Sequence, residues 1–131
     1  MKQEENSTTN DNSLFFDTYA IFEIIKGNPN YKNYISFKVV TTKLNLFELF
    51  FGFLKSHNNW LAEYSLANYL RFAVDFDERV IREAARMKLE LNKRNISMTD
   101  CIGYCFAKQL GIKFLTGDKE FENLQNVEFV R

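Results

Sequence analysis

Short apolar runs alternate along this chain with longer stretches of helical periodicity, and no other feature constrains the fold as much. Ser13 to Phe16 is a short run that ends on Asp17, consistent with a buried strand. Thr18 to Lys26 follows with Ala20, Ile21, Ile24 and Ile25 on one helical face, and Gly27-Asn28-Pro29-Asn30 stops it. Tyr34 to Val40 is aromatic and β-branched and fits either a second strand or the start of a helical pair. Thr42 to Lys55 carries Leu44, Phe47, Phe51 and Leu54 at helical spacing, and Trp60 to Arg71 carries Leu61, Tyr64, Leu66 and Tyr69 more loosely. Across the turn His57-Asn58-Asn59 these two read as an antiparallel helix pair. Phe72 to Val74 is another short apolar run. Asp77 to Leu91 is amphipathic, with Val80, Ala84, Met87 and Leu91 facing inward and Asp75 or Asp77 as its cap. Ser97-Met98-Thr99-Asp100 opens a last helix through Leu110, closed by Gly111. Ile112 to Thr116 reads as a strand, and Phe129 with Val130 as part of a final short one. The alternation predicts an α/β fold, a three-layer α/β/α sandwich around a mostly parallel sheet.

Size and composition narrow the field. The 131 residues fit one domain, expected over 13–131, behind a flexible polar arm over 1–12. Fourteen Phe residues supply ample core material. The longest apolar stretch, Leu44 to Leu54, is interrupted by Asn45 and Glu48 and falls short of a bilayer span. The N-terminus has no apolar segment of the secretory kind, so a cytoplasmic location is expected. Lys plus Arg equal Asp plus Glu at 17 each, so any nucleic-acid contact has to come from local charge. Cys101 and Cys105 share a helix face without further soft ligands, and read as small buried residues, neither disulfide nor zinc site.

The chemistry gathers on acids. Asp17 follows the first strand, Asp118 follows the strand ending in Thr116, and Asp100 starts a helix. Taken singly, each reads as a helix cap. Taken together, strand-end carboxylates on parallel neighbours meet at the same edge of the sheet, where functional residues gather. Like charges there repel unless a cation sits among them, and hard Mg²⁺ or Mn²⁺ prefers such oxygen donors. That arrangement suits phosphodiester hydrolysis. The lone histidine, His57, lies in a turn, which disfavours a Ser-His-Asp triad, and the five scattered glycines form no phosphate loop.

The chain resembles the PIN-domain family, and within it the VapC-type toxin nucleases, from Ser13 to Arg131. The C-terminal half carries most of the likeness: Asp100 opening a helix within Ile96 to Ile102, then Gly111 to Phe121, where an apolar strand runs into Thr116-Gly117-Asp118-Lys119-Glu120-Phe121. Leu14 to Thr18 is similar to the family's first strand and first acid, and residues 41 to 49 to the segment bearing the second. The resemblance implies that Asp17, Asp100 and Asp118 bind metal, that Glu48 is the remaining acid, and that Thr116 orients a carboxylate. Glu120 stands where many relatives have an additional acid. The apolar neighbours of Glu48, Phe47 and Leu49 to Phe51, also suggest that it faces inward. Two positions depart from the pattern. Tyr19 stands where many relatives carry a small polar residue, and Gly117 where a basic one is often seen. Glu23, a further acid close to Asp17 in sequence, could support the metal ligands but reads better as the outer face of the first helix.

The implied activity is a Mg²⁺- or Mn²⁺-dependent endoribonuclease, the toxin of a toxin–antitoxin pair, acting as a homodimer held inactive by a small antitoxin. A PIN nuclease of RNA processing, or a degenerate PIN fold that only binds, are the other readings. Arg79, Arg82, Arg86, Lys88, Lys93 and Arg94 form the one basic cluster that could track RNA. Their interspersed Glu78, Glu83 and Glu90 favour an ordinary solvated face over an RNA track.

Overall fold

A computed structural model describes residues 12–131, so the polar arm expected over 1–12 lies outside the described residues apart from Asn12. Strand β1 (Ser13–Phe16) leads into α1 (Thr18–Ile25), a 3₁₀ turn at Pro29–Tyr34 and strand β2 (Lys38–Val40). A helical hairpin follows, α2 (Lys43–Lys55) and α3 (Asn59–Tyr69), then α4 (Glu78–Glu90) and α5 (Met98–Leu110). Strand β3 (Lys113–Thr116), a 3₁₀ turn at Lys119–Phe121 and strand β4 (Val127–Phe129) complete the described chain.

The strands form one four-stranded sheet in the order β2-β1-β3-β4, with every pairing parallel. Side chains alternate across it, as the pleat requires. Leu14, Phe16 and Leu115 face a core completed by α1, α2 and α3, with Ile21, Leu46, Leu49 and Ala62. Phe15 and Phe114 face the opposite core under α4 and α5, with Val80, Ala84, Phe106 and Phe121. The two cores make the three layers. Gly103 lets α5 lie close to the sheet, since a Cβ there would come within 2.8 Å of the Phe15 ring. Helix ends follow their chemistry: Asp77 caps α4, Ser97 and Asp100 form a reciprocal capping box on α5, and Gly111 ends α5 at φ +72°.

Three expectations need correction. Within Tyr34 to Val40 only Lys38–Val40 is strand, because Pro29 starts a 3₁₀ turn that carries the chain through Tyr34. The last strand is Val127–Phe129, one position earlier than expected. On α2 the residues at helical spacing are not the buried ones. Phe47 and Phe51 are 70% and 52% exposed, whereas Asn45, Leu46, Leu49 and Phe53 face the core. The helix is apolar nearly all round, so spacing alone cannot choose its phase. Cys101 and Cys105 are buried free thiols, as their spacing suggested.

Candidate active site

The register between β1 and β3 pairs Phe16 with Leu115, and the Asp17 N–H continues that ladder to the Leu115 carbonyl at 3.2 Å. Asp17 therefore leaves the sheet beside Thr116, at the carboxyl edge. It is 2% exposed and caps α1, its Oδ1 accepting from the Ala20 N–H at 2.8 Å. The Thr116 hydroxyl hydrogen-bonds to the Asp17 carboxyl and also accepts from the Asp118 N–H at 3.0 Å. One buried threonine thus joins the turns that carry both strand-end acids.

The other acids arrive on separate elements. Asp118 caps the 3₁₀ turn, Oδ1 accepting from Glu120 N–H at 3.0 Å. Asp100 is the third residue of α5, and its Oδ2 accepts from Ser97 N–H at 3.2 Å. Glu48, half-buried on α2, accepts from the Thr18 hydroxyl at 2.7 Å. Cap and cluster are not competing descriptions here. Each aspartate is oriented by a backbone N–H on one oxygen, and the Ser97 side chain also hydrogen-bonds to the Asp100 carboxyl.

Electrostatics shows that the acids feel one another. Burial, above all, raises the Asp17 carboxyl well above its ordinary value, and Asp100 and Asp118 push it further the same way. Asp100 is pushed up to about 6 by burial, with Glu48 and Asp118 adding to the shift. None of the four takes part in an ion pair among the described residues, whose pairs are Lys26–Glu23, Arg79–Asp77 and Arg82–Glu78. An all-oxygen donor set with excess negative charge and no protein counterion suits a hard divalent cation. Among the described residues no three acids already form a closed metal cage, so an ion would have to draw the carboxylates together.

Three residues of this network escaped the sequence reading: Thr18, Thr42 and Asn45. The buried Asn45 donates from Nδ2 to the Thr18 hydroxyl at 3.2 Å and accepts at Oδ1 from the Thr42 hydroxyl at 2.7 Å. The chain Thr42–Asn45–Thr18–Glu48 locks α2 to the start of α1. Its one sequence signal is Asn45, a polar residue one turn before the buried Leu49. Glu120 contributes through its backbone, since its N–H goes to Asp118 and its carbonyl accepts from Arg94 Nη1 at 2.8 Å. Glu23 is held apart from the cluster by Lys26 and Asn28. Of the basic residues, Arg79 and Arg82 are paired on α4, Lys88 binds the Ile96 carbonyl, and Arg94 reaches the Asp118 turn.

The PIN domain family matches this chain over residues 14–127. The chain belongs to that family. No curated protein matches it in sequence. Among solved structures, this PIN domain superposes on a chain of a toxin–antitoxin complex from Klebsiella pneumoniae with a TM-score of 0.68 at 16% identity, covering 88% of this chain and 96% of the other. It matches VapBC2 from Rickettsia felis, bound to a promoter DNA fragment, with a TM-score of 0.68 at 19% identity over 90% and 98%. VapBC-5 from Mycobacterium tuberculosis gives 0.68 at 20% identity over 92% and 98%. At these identities the likeness is one of fold, and the three-layer sandwich is the PIN fold of VapBC structures.

Thr116→Val tests the bridge between the two turns. It keeps the shape but leaves the Asp118 N–H unpaired and removes the donor from Asp17. A loss of about 1–3 kcal/mol in urea unfolding at neutral pH is expected. An unchanged midpoint would show that the hydroxyl does not hold the turns.

Proposed function

We propose that this PIN domain is a Mg²⁺- or Mn²⁺-dependent endoribonuclease and the toxin of a toxin–antitoxin pair. The observation that carries the reading is the convergence of acids from separate elements at one sheet edge, none of them ion-paired among the described residues. Asp17, Asp100, Asp118 and Glu48 would hold the metal. Thr116 orients Asp17 and Asp118, while Thr18 and Asn45 orient Glu48. Glu120 lies close enough along the chain to add an acid from the rim. An ion held there would supply a water of lowered pKa and stabilise charge on the phosphodiester. The chain's own part is to fix carboxylate oxygens around that position and to receive a strand of RNA at the open edge of the sheet. With zero net charge, RNA would be held locally, and Arg94 and Lys119 flank the Asp118 turn.

Toxin biology is supported by structural relatives that are toxin–antitoxin complexes. A small antitoxin is the expected partner, and a homodimer the expected assembly. No helix of the described residues is long and apolar enough to cross a membrane, and a cytoplasmic site of action goes with the RNA substrate.

Purified protein is expected to cleave RNA with Mg²⁺ or Mn²⁺ and to stop on adding EDTA. Induced expression is expected to arrest growth, relieved by co-expressing the neighbouring gene if that gene encodes the antitoxin. Cleavage undiminished in EDTA would overturn the metal mechanism. Metal-dependent cleavage without growth arrest would favour RNA processing over toxicity.

A further inference from the structure

The two departures from the family pattern, Tyr19 and Gly117, turn out to be in contact. A Cβ on Gly117 would lie 2.7 Å from Tyr19 Cζ, and closer still to Tyr19 Cε1 and to the Val130 carbonyl oxygen. The ring therefore lies against the backbone of the Thr116-Gly117-Asp118 turn, in space that any side chain at 117 would claim. The other contact is also fixed: Val130 donates its N–H to the Thr116 carbonyl at 2.9 Å, and its own carbonyl accepts from the Tyr31 hydroxyl at 2.5 Å. Gly117 is thus held between an aromatic ring and an anchored peptide.

We propose that Tyr19 is a positioning residue for the acid cluster, its ring holding the Asp118 turn at a set distance from Asp17. Tyr19 sits in the first turn of α1, which Asp17 caps, so ring and Asp17 move as one body. Gly117 sits between Thr116, whose hydroxyl touches both acids, and Asp118 itself. Without the ring, the strand ladder ends at the Asp17 N–H to Leu115 carbonyl bond, and beyond it the Thr116 hydroxyl is left to hold the Asp118 turn against Asp17. Displacements near 1 Å at such centres cost about a hundredfold in rate. The role rests on the metal reading of the cluster.

The test is Mn²⁺ titration by calorimetry, with RNA cleavage kinetics, at a temperature where every variant is folded by circular dichroism. The set is wild type, Tyr19→Phe, Tyr19→Leu, Tyr19→Ala and, as a remote control, Met87→Ala on α4. Tyr19→Ala is expected to bind Mn²⁺ about tenfold more weakly and to lose about tenfold in kcat with KM little changed. Tyr19→Phe, which keeps the ring, is expected to stay within about twofold of wild type. Tyr19→Leu, which fills the space without a flat ring, should fall between them and serves if the alanine variant does not fold. Met87→Ala should lose thermal stability yet bind Mn²⁺ as wild type does. Wild-type affinity in both Tyr19→Ala and Tyr19→Leu, or an equal loss in Met87→Ala, overturns the positioning role. A wild type that binds no Mn²⁺ instead overturns the metal reading on which the role rests.

Discussion

Asp100→Asn is expected to lower turnover on RNA by at least about a thousandfold while raising the thermal midpoint of the metal-free protein. The two effects share one cause. Asp100 contributes a charged oxygen, and burial together with Glu48 and Asp118 makes that charge costly, pushing its carboxyl up to about 6. Asparagine has the same shape, and its carbonyl oxygen can still accept from the Ser97 N–H, so the capping box on α5 keeps its form. What disappears is the anionic oxygen, the proposed metal ligand, and the repulsion. Relative to the ordinary 3.8, the shift corresponds to a few kcal/mol of strain at neutral pH, of which water at this half-buried site leaves on the order of 2 kcal/mol. Scanning calorimetry and single-turnover cleavage check the two halves. A folded Asp100→Asn variant with full activity would sink the nuclease mechanism.

The second expectation concerns metal and pH together. In the folded chain Asp100 keeps its proton up to about pH 6, whereas the unfolded chain releases it near 3.8. Metal-free protein therefore holds a proton that the unfolded chain has shed. Its stability from this group is greatest at the acid end and declines as pH rises from about 4 to about 6. Buried Asp17 acts in the same direction. A divalent ion reverses the trend, since it needs the deprotonated carboxylates and competes with their protons. Saturating Mn²⁺ is expected to raise the midpoint strongly at pH 7.5 and little at pH 5. Apparent affinity should fall about tenfold over that range from Asp100 alone. A metal-induced shift independent of pH would place the ion away from these acids.

Much of the fold is legible in the chain because local signals agree. Val80, Ala84, Met87 and Leu91 repeat on an otherwise charged helix, and Ser97, Asp100 and Gly111 mark both ends of α5. The phase of α2 is illegible for the opposite reason, since Phe47, Phe50, Phe51 and Leu54 leave no polar face to set it. Around the acids, the neighbourhood of Asp17 and Asp118 follows from two apolar runs lying side by side in a parallel sheet. The proximity of Glu48 to Asp100 depends on how the α2–α3 hairpin docks, and the sequence reached it only through family resemblance. Thr18 and Asn45 stayed hidden because a buried hydroxyl or amide has no periodicity, and only the docked helices give each a partner.

The pairing of β1 with β3 also bears on the order in which the molecule is made. β1 is synthesised before every other described element, yet its neighbour β3 comes only after α5. Until then Phe15 and Phe16 lack one flank, and Asp17 lacks the threonine that orients it. Such distant pairing delays folding and leaves partly built chains open to other contacts. A nascent chain stopped before β3 would carry at most three of the four acids, without the strand that brings Asp17 and Asp118 together. Whatever chemistry the acid cluster performs therefore waits on the synthesis of β3 and the Asp118 turn that follows it.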